Sequence, residues 1–351
     1  MLKKAAALFV VCAGLALCVG CTKSSNNYLY AAIPTASQIL AYREDPNSGA
    51  LTPLSTSPFT AGTGVQSIVI HPSKQFLYAA NSSENNISLF TISSSGALTE
   101  VTPRTPAGTT PAFLVMDPAG GFLYVGNAES NNISAFSISS SSGALTAVGV
   151  PTPIGISPLN MVLSPSGTFL FVTGAGSPGY IETLSVNAGA LTFVTVTPTG
   201  TNPYGLAISP TGSYLYTANF GDNSISEFTI NSDGSLTQLS GSPFGETYSS
   251  PIWLLVDNSG KYLYVANEGS GNLGAYAIGS DGGLTLLATS PFTTAAQPSL
   301  IATDPSGRYL FVGNQKSSAI ESFSLNPGSG ALSEVGSYSV GNTPKAIAVV
   351  Q

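Results

Sequence analysis

The chain has 351 residues and a net charge of -7, and only 8% of its residues are charged. That balance offers no basic patch for nucleic acid, and a 43% hydrophobic content recurring at regular spacing excludes a disordered chain. With 38 glycines and 24 prolines, the composition points to many short strands joined by tight turns.

The first element is a targeting segment over residues 1–21. Lys3 and Lys4 precede an apolar run from Ala5 to Val19 that is too short to cross a bilayer. Val19-Gly20-Cys21 then sets a small residue before a cysteine. This resembles the bacterial lipobox and implies lipidation of Cys21; an ordinary signal peptide cut nearby is the alternative. Both send the protein out of the cytoplasm. Cys12, Cys18 and Cys21 are its cysteines, so the body of the chain has no thiol for a disulfide, a metal site or a nucleophile.

Residues 22–27 form a short linker, and residues 28–351 carry seven copies of one unit, each about 46 residues long. Each copy holds an aromatic-Leu-aromatic triplet: Tyr28-Leu29-Tyr30, Phe76-Leu77-Tyr78, Phe122-Leu123-Tyr124, Phe169-Leu170-Phe171, Tyr214-Leu215-Tyr216, Tyr262-Leu263-Tyr264 and Tyr309-Leu310-Phe311. A second apolar stretch follows (Ile87 to Ile92), then a Gly-Ala-Leu-Thr turn and strand (Gly96 to Thr99), then a strand ending in a Pro-x-Gly turn (Pro210 to Gly212). Four short strands cannot bury both faces of their sheet alone, whereas seven such sheets around an axis bury them against one another. The expectation is therefore an all-β, seven-bladed propeller with four antiparallel strands per blade. The repeat begins on a second strand, Tyr28 to Ala32, and ends on an innermost one, Ala346 to Val350. The C-terminal strand should thus complete the blade formed by the three N-terminal strands and remove the open edges.

Tyr264-Val265-Ala266-Asn267, Tyr216-Thr217-Ala218-Asn219 and Tyr124-Val125-Gly126-Asn127, with the Pro-x-Gly turns, resemble the Tyr-Val-Thr-Asn repeat propellers and the lactonase-type propellers. The latter include cytosolic 6-phosphogluconolactonase and a fungal muconate cyclase. The resemblance implies a site at the channel mouth built from His, Arg and Glu, often with a Pro-His pair entering an innermost strand. Here the matching pairs are Pro111-Ala112, Pro158-Leu159, Pro203-Tyr204, Pro251-Ile252, Pro298-Ser299 and Pro344-Lys345, none with histidine. His71 lies at the other end of its strand, where other copies have Asp117, Ser164, Ser209, Asp257 and Asp304, and reads as a turn residue.

Residues that break the repeat are the candidates for ligand binding, because packing does not account for them. Trp253 stands where other copies carry Ser67, Phe113, Asn160, Gly205, Leu300 and Ala346, with Tyr204 and Lys345 unmatched at the preceding position. Loops expected on the same face add Arg104, Glu246 and Tyr248. Glu84, Glu129, Asp222 and Glu268 read as a solvated rim, and Asn81, Asn127, Asn219, Asn267 and Asn314 as turn-fixing residues. No residue can be assigned a catalytic role, and no cofactor or metal motif is present. The expectation is a lipid-anchored, monomeric binding or scaffold module. Its mouth would meet a protein, peptide or glycan, it would touch the membrane only through the anchor, and it would bind no nucleic acid. The alternative is a divergent lactonase in which Arg104, Glu246 and Lys345 replace the histidine.

If Cys21 is lipidated, the six linker residues reach roughly 20 Å, which sets the face opposite the mouth against the membrane. A cysteine introduced at Asp222 should then react with an impermeant thiol reagent on intact anchored protein. Protection by the bilayer would reverse the orientation.

Overall fold

The computed structural model describes residues 27–174, 176–245 and 248–350. Cys21 and Glu246 lie outside them. The described residues form seven antiparallel sheets. Six are built in chain order, with innermost strands Val65–Ile70, Pro111–Met116, Pro158–Leu163, Pro203–Ile208, Pro251–Val256 and Pro298–Thr303; these are blades 2 to 7. In blade 1, Ala346–Val350 pairs with Asn27–Ile33, which continues outward to Gln38–Glu44 and Leu51–Pro53. Each innermost strand packs on the next, and Ala346–Val350 touches both blade 7 and blade 2. The ring is closed as the repeat phase requires.

The triplets explain the closure. The first ring of each triplet lies over a glycine in the turn before the outermost strand of the next blade: Tyr28 over Gly96, Phe76 over Gly143, Phe122 over Gly189, and so on to Tyr309 over Gly49. At Gly49 φ is +71° and an added Cβ would come within 2.3 Å of the Tyr309 ring, so conformation and space both demand glycine. The third residue adds a hydrogen bond along the same seam. Tyr30, Tyr78, Tyr216 and Tyr264 donate to the carbonyls of Gly96, Gly143, Gly282 and Gly330 at 2.7–2.8 Å. The Tyr124 hydroxyl is buried without a partner, because blade 4 replaces the longer turn by a tight one, Asn187 pairing with Ala190.

Three details refine the expectation. In blades 1, 3, 5 and 6 the outermost strand is split, so that two short strands pair with the third strand. In blades 1, 5 and 6 a Ser-Pro pair interrupts it, since proline cannot donate to the ladder; the hydroxyls of Ser57, Ser242 and Ser290 instead accept from Ala41, Glu227 and Ala275 at 2.8–3.1 Å. The repeated asparagines fix their own turn, Asn127 Nδ2 donating to Asn132 Oδ1 at 2.8 Å and Asn219 Nδ2 to Ser224 Oγ at 2.9 Å, and also the loop that enters their blade. Asn127 Oδ1 accepts from Gly108 N–H and Asn219 Oδ1 from Gly200 N–H. Blade 4 has Gly174 in place of this asparagine, and Glu182 on its third strand accepts the equivalent loop amide of Gly155 at 2.9 Å. His71 is a turn residue: Nδ1 accepts from Ser73 N–H at 3.0 Å, leaving Nε2–H to donate to Gly120 O at 2.9 Å.

Buried carboxyls make stability pH-dependent. Burial foremost, then the Asp304 charge, raises Glu44 to about 7, against smaller lowering effects of Asn27 and Arg308. Burial also raises Glu182, Glu227 and Glu321. A raised folded-state pKa means that the folded form holds the proton more tightly. The Glu44 contribution is complete at acid pH and is lost as pH climbs from the ordinary carboxyl range to about 7, on the order of 3 kcal/mol.

Two measurements check these points. Urea unfolding should show Tyr78→Phe losing about 1 kcal/mol and Tyr124→Phe losing none. Between pH 5 and pH 8, the melting temperature should fall less for Glu44→Gln than for the parent chain.

Candidate functional site: the channel mouth

The innermost strands of blades 3 to 7 enter the channel through a proline and that of blade 2 through Val65, and in all six the pairing register to the second strand slips just after that entry. Such a bulge frees one residue from the ladder and re-aims its side chain. The freed residues are Gln66, Ala112, Leu159, Tyr204, Ile252 and Ser299, with Lys345 as the blade 1 counterpart. All seven line one cavity of about 250 Å³ at the top of the channel. A second tier lies one residue deeper and includes Ser67, Phe113, Trp253 and Leu300.

Trp253 forms the floor. Its ring meets that of Phe113, three blades away, with centroids 6.0 Å apart and planes inclined at 38°. Two rings from opposite sides of a seven-fold ring thus close the channel below the mouth. Gly205 permits this arrangement, because a Cβ there would come within 2.8 Å of Ile252 O and 2.9 Å of Trp253 Cα. Blade 6 therefore packs tightly on blade 5 where the tryptophan turns inward.

The mouth has one cation, Lys345, among its lining residues. Its Nζ donates to Gln315 Oε1 at 3.1 Å. Desolvation in the concavity lowers the Lys345 pKa, and the negative charge of Glu268 partly offsets that. Tyr204 is shifted upward, by burial first and then by Glu268. Glu268 lies in an adjoining hollow of about 400 Å³ whose walls, Leu159, Tyr204 and Ile252, are also walls of the mouth. Lys345 stands above the aromatic floor of the mouth and Glu268 in the hollow adjoining it, a cation and a carboxylate of the kinds able to polarise a carbonyl and to accept a proton.

Of the residues expected here, the structure brings Trp253, Tyr204 and Lys345 together. Arg104 does not join them. It sits on the outermost strand of blade 2, where it is ion-paired with Glu84 and, at 2.7 Å, with Glu100. Its charge is already neutralised by two carboxylates, so the sequence expectation fails on partners that the chain order did not reveal. Tyr248 also lies outside the mouth lining, with its hydroxyl 3.5 Å from Ser290 Oγ. Glu84 is lowered to about 2 by hydrogen bonds from Thr63 foremost, and Asp222 accepts from Thr201 N–H; both behave as rim residues. Glu268 is the exception among the rim acids. Sequence reasoning placed it there by its repeat position; the signal that could have separated it is its neighbourhood with Tyr204 and Trp253, the strongest breaks in the repeat. Among the described residues, no group of three or more His, Cys, Asp or Glu side chains could hold a metal ion.

A family model described as a seven-bladed β-propeller lactonase matches residues 21–157, 155–247 and 244–349. The chain belongs to this family. Solved structures sharing the fold include a protein from Lactobacillus plantarum, at 21% identity and a TM-score of 0.80, over 93% of this chain and 99% of that one. A putative 6-phosphogluconolactonase from Bacteroides fragilis matches at 20% identity and a TM-score of 0.78, over 94% and 99%. A periplasmic gluconolactonase from Pseudomonas aeruginosa matches at 20% identity and a TM-score of 0.77, over 93% and 99%. At these identities the likeness establishes the architecture alone. No curated protein matches the chain.

Proposed function

We propose that this propeller hydrolyses unphosphorylated sugar lactones at its channel mouth. The observation that carries the reading is Lys345 above the Trp253 floor in one concavity to which all seven blades contribute, with Glu268 in the hollow adjoining it, on a chain of the lactonase family. The apolar face of the sugar ring would lie on Trp253. Lys345 would donate to the lactone carbonyl and stabilise the oxyanion formed when water adds to the carbonyl carbon. Glu268 would take the proton of that water and return it to the ring oxygen as the carbon–oxygen bond breaks, giving the open sugar acid.

Two points favour an unphosphorylated substrate. A phosphate dianion needs several converging donors or cations, whereas the mouth offers Lys345 with Glu268 beside it. An exported protein also does not meet cytosolic sugar phosphates, and the lipobox-like Val19-Gly20-Cys21 supports export and lipid anchoring. The periplasmic gluconolactonase from Pseudomonas aeruginosa has the same fold in a comparable compartment.

The test is hydrolysis of glucono- and galactonolactones by the purified protein, followed by pH indicator. Lys345→Gln should lower kcat about 10²-fold, and Glu268→Gln should lower it roughly 10²-fold or more. Because the Lys345 pKa is lowered, activity should decline at a less alkaline pH than an ordinary lysine would set. Lys345→Arg should retain turnover and move that limb upward. No turnover above background in a folded protein would make the mouth a binding surface for a glycan or peptide.

A further inference from the structure

The mouth does not end at Lys345 and Glu268. The hollow containing Glu268 is bounded outward by Phe220, and both residues also bound a third hollow of about 600 Å³ toward the rim of blades 6 and 7. Three concavities thus run in sequence from the channel axis outward, each sharing walls with the next. Phe220 stands at the junction of the outer two.

Phe220 is a break in the repeat. The residue after the last one of the second strand is Ser82 in blade 2, Ala128 in blade 3, Glu268 in blade 6 and Gln315 in blade 7. An aromatic ring appears there in blade 5 alone among these, half-buried and packed against the same core cluster as Tyr204 and Trp253. Seven-fold packing does not need it, since the other blades fold with small or polar residues. Trp253, Tyr204 and Phe220 therefore form an aromatic strip leading from the channel to the rim. Polar groups flank its outer part: Asn202 on one side, Gln297 and Ser270 on the other. Glu268 and Lys316 leave the outer hollow without net charge.

Half-exposed rings beside uncharged hydrogen-bonding groups match the two faces of a pyranose, with apolar C–H on one side and hydroxyls at the edge. Resting on the lactonase reading of the mouth, we propose that the strip holds a second sugar unit stacked on Phe220. The substrate class is then a glycosylated aldonolactone, a disaccharide or longer with the lactone at its end, in preference to a monosaccharide lactone. The lactone end sits over Trp253 and the attached sugar follows the strip toward Lys316.

The experiment compares lactobionolactone and cellobionolactone with gluconolactone on the purified protein, using Phe220→Ser, which copies blade 2 and therefore suits the fold. The expected result is a lower KM for the disaccharide lactones, raised about tenfold by Phe220→Ser, with a much smaller change in the KM for gluconolactone. Calorimetric binding of lactobionate to parent and variant gives a second readout independent of turnover. Equal KM for both substrate classes, with lactobionate binding insensitive to Phe220→Ser, overturns the second subsite and leaves the lactonase reading standing. Lactobionate binding that weakens in the variant, without turnover of any lactone, supports the subsite and overturns the catalytic reading. Neither binding nor turnover, in protein folded by circular dichroism, overturns both.

Discussion

An aromatic ring laid on a left-handed glycine of the neighbouring blade is the contact on which this structure depends. It occurs at each of the seven seams, from Tyr28 on Gly96 to Tyr309 on Gly49. Each ring buries a large apolar area, worth about 2–3 kcal/mol when fully covered, and does so only because the facing residue has no Cβ. A blade lacking this contact on one side would expose a hydrophobic face to water. The seams are therefore stable together or not at all, and the last is made only when Ala346–Val350 completes blade 1. The chain holds this ring without thiols in its body, since its three cysteines all precede residue 22.

The same repetition creates the site. Six bulges just inside the strand entries, five of them after a proline, direct side chains to the channel axis regardless of what those side chains are. Geometry at the mouth is thus decoupled from chemistry, and residues there can vary without disturbing the seams. Blades 5 and 6 use that freedom most, with Tyr204, Gly205, Trp253 and Phe220 all departing from their repeat counterparts. The result is a radially lopsided mouth in which an apolar wall on one side leads outward and Lys345 with Gln315 stands in blades 1 and 7. Electrostatics follow the same asymmetry: Lys345 is partly desolvated by the concavity, and Glu268 acts on both Lys345 and Tyr204.

Departures from the repeat were informative in proportion to how directly the backbone dictates their direction. Trp253, Tyr204 and Lys345 were legible as mouth residues because their distance from an entry proline fixes where they point. Arg104 and Tyr248 were not, because loops and outer strands give a long side chain several partners to choose from. Glu84 and Glu100 claimed the arginine through contacts that are local in space and invisible in the repeat alignment. Glu268 had the opposite history. Its loop reads from the sequence as solvated rim, and the structure instead sets it with Tyr204 and Phe220 in the wall of a hollow.

By itself, the sequence determined the number of blades, the strand count and the closure by the C-terminal strand, because each depends on spacing and phase that recur seven times and average out local exceptions. It also determined which residues escape the packing rule. Tertiary structure alone decided that Trp253 reaches Phe113 across the channel, that Glu182 replaces the missing asparagine of blade 4, and that Glu268 lines a hollow adjoining the mouth while Arg104 is ion-paired on an outer strand. Those outcomes turn on side-chain reach between segments more than a hundred residues apart, or on competition among nearby partners. Neither quantity is encoded in the order of residues along a strand.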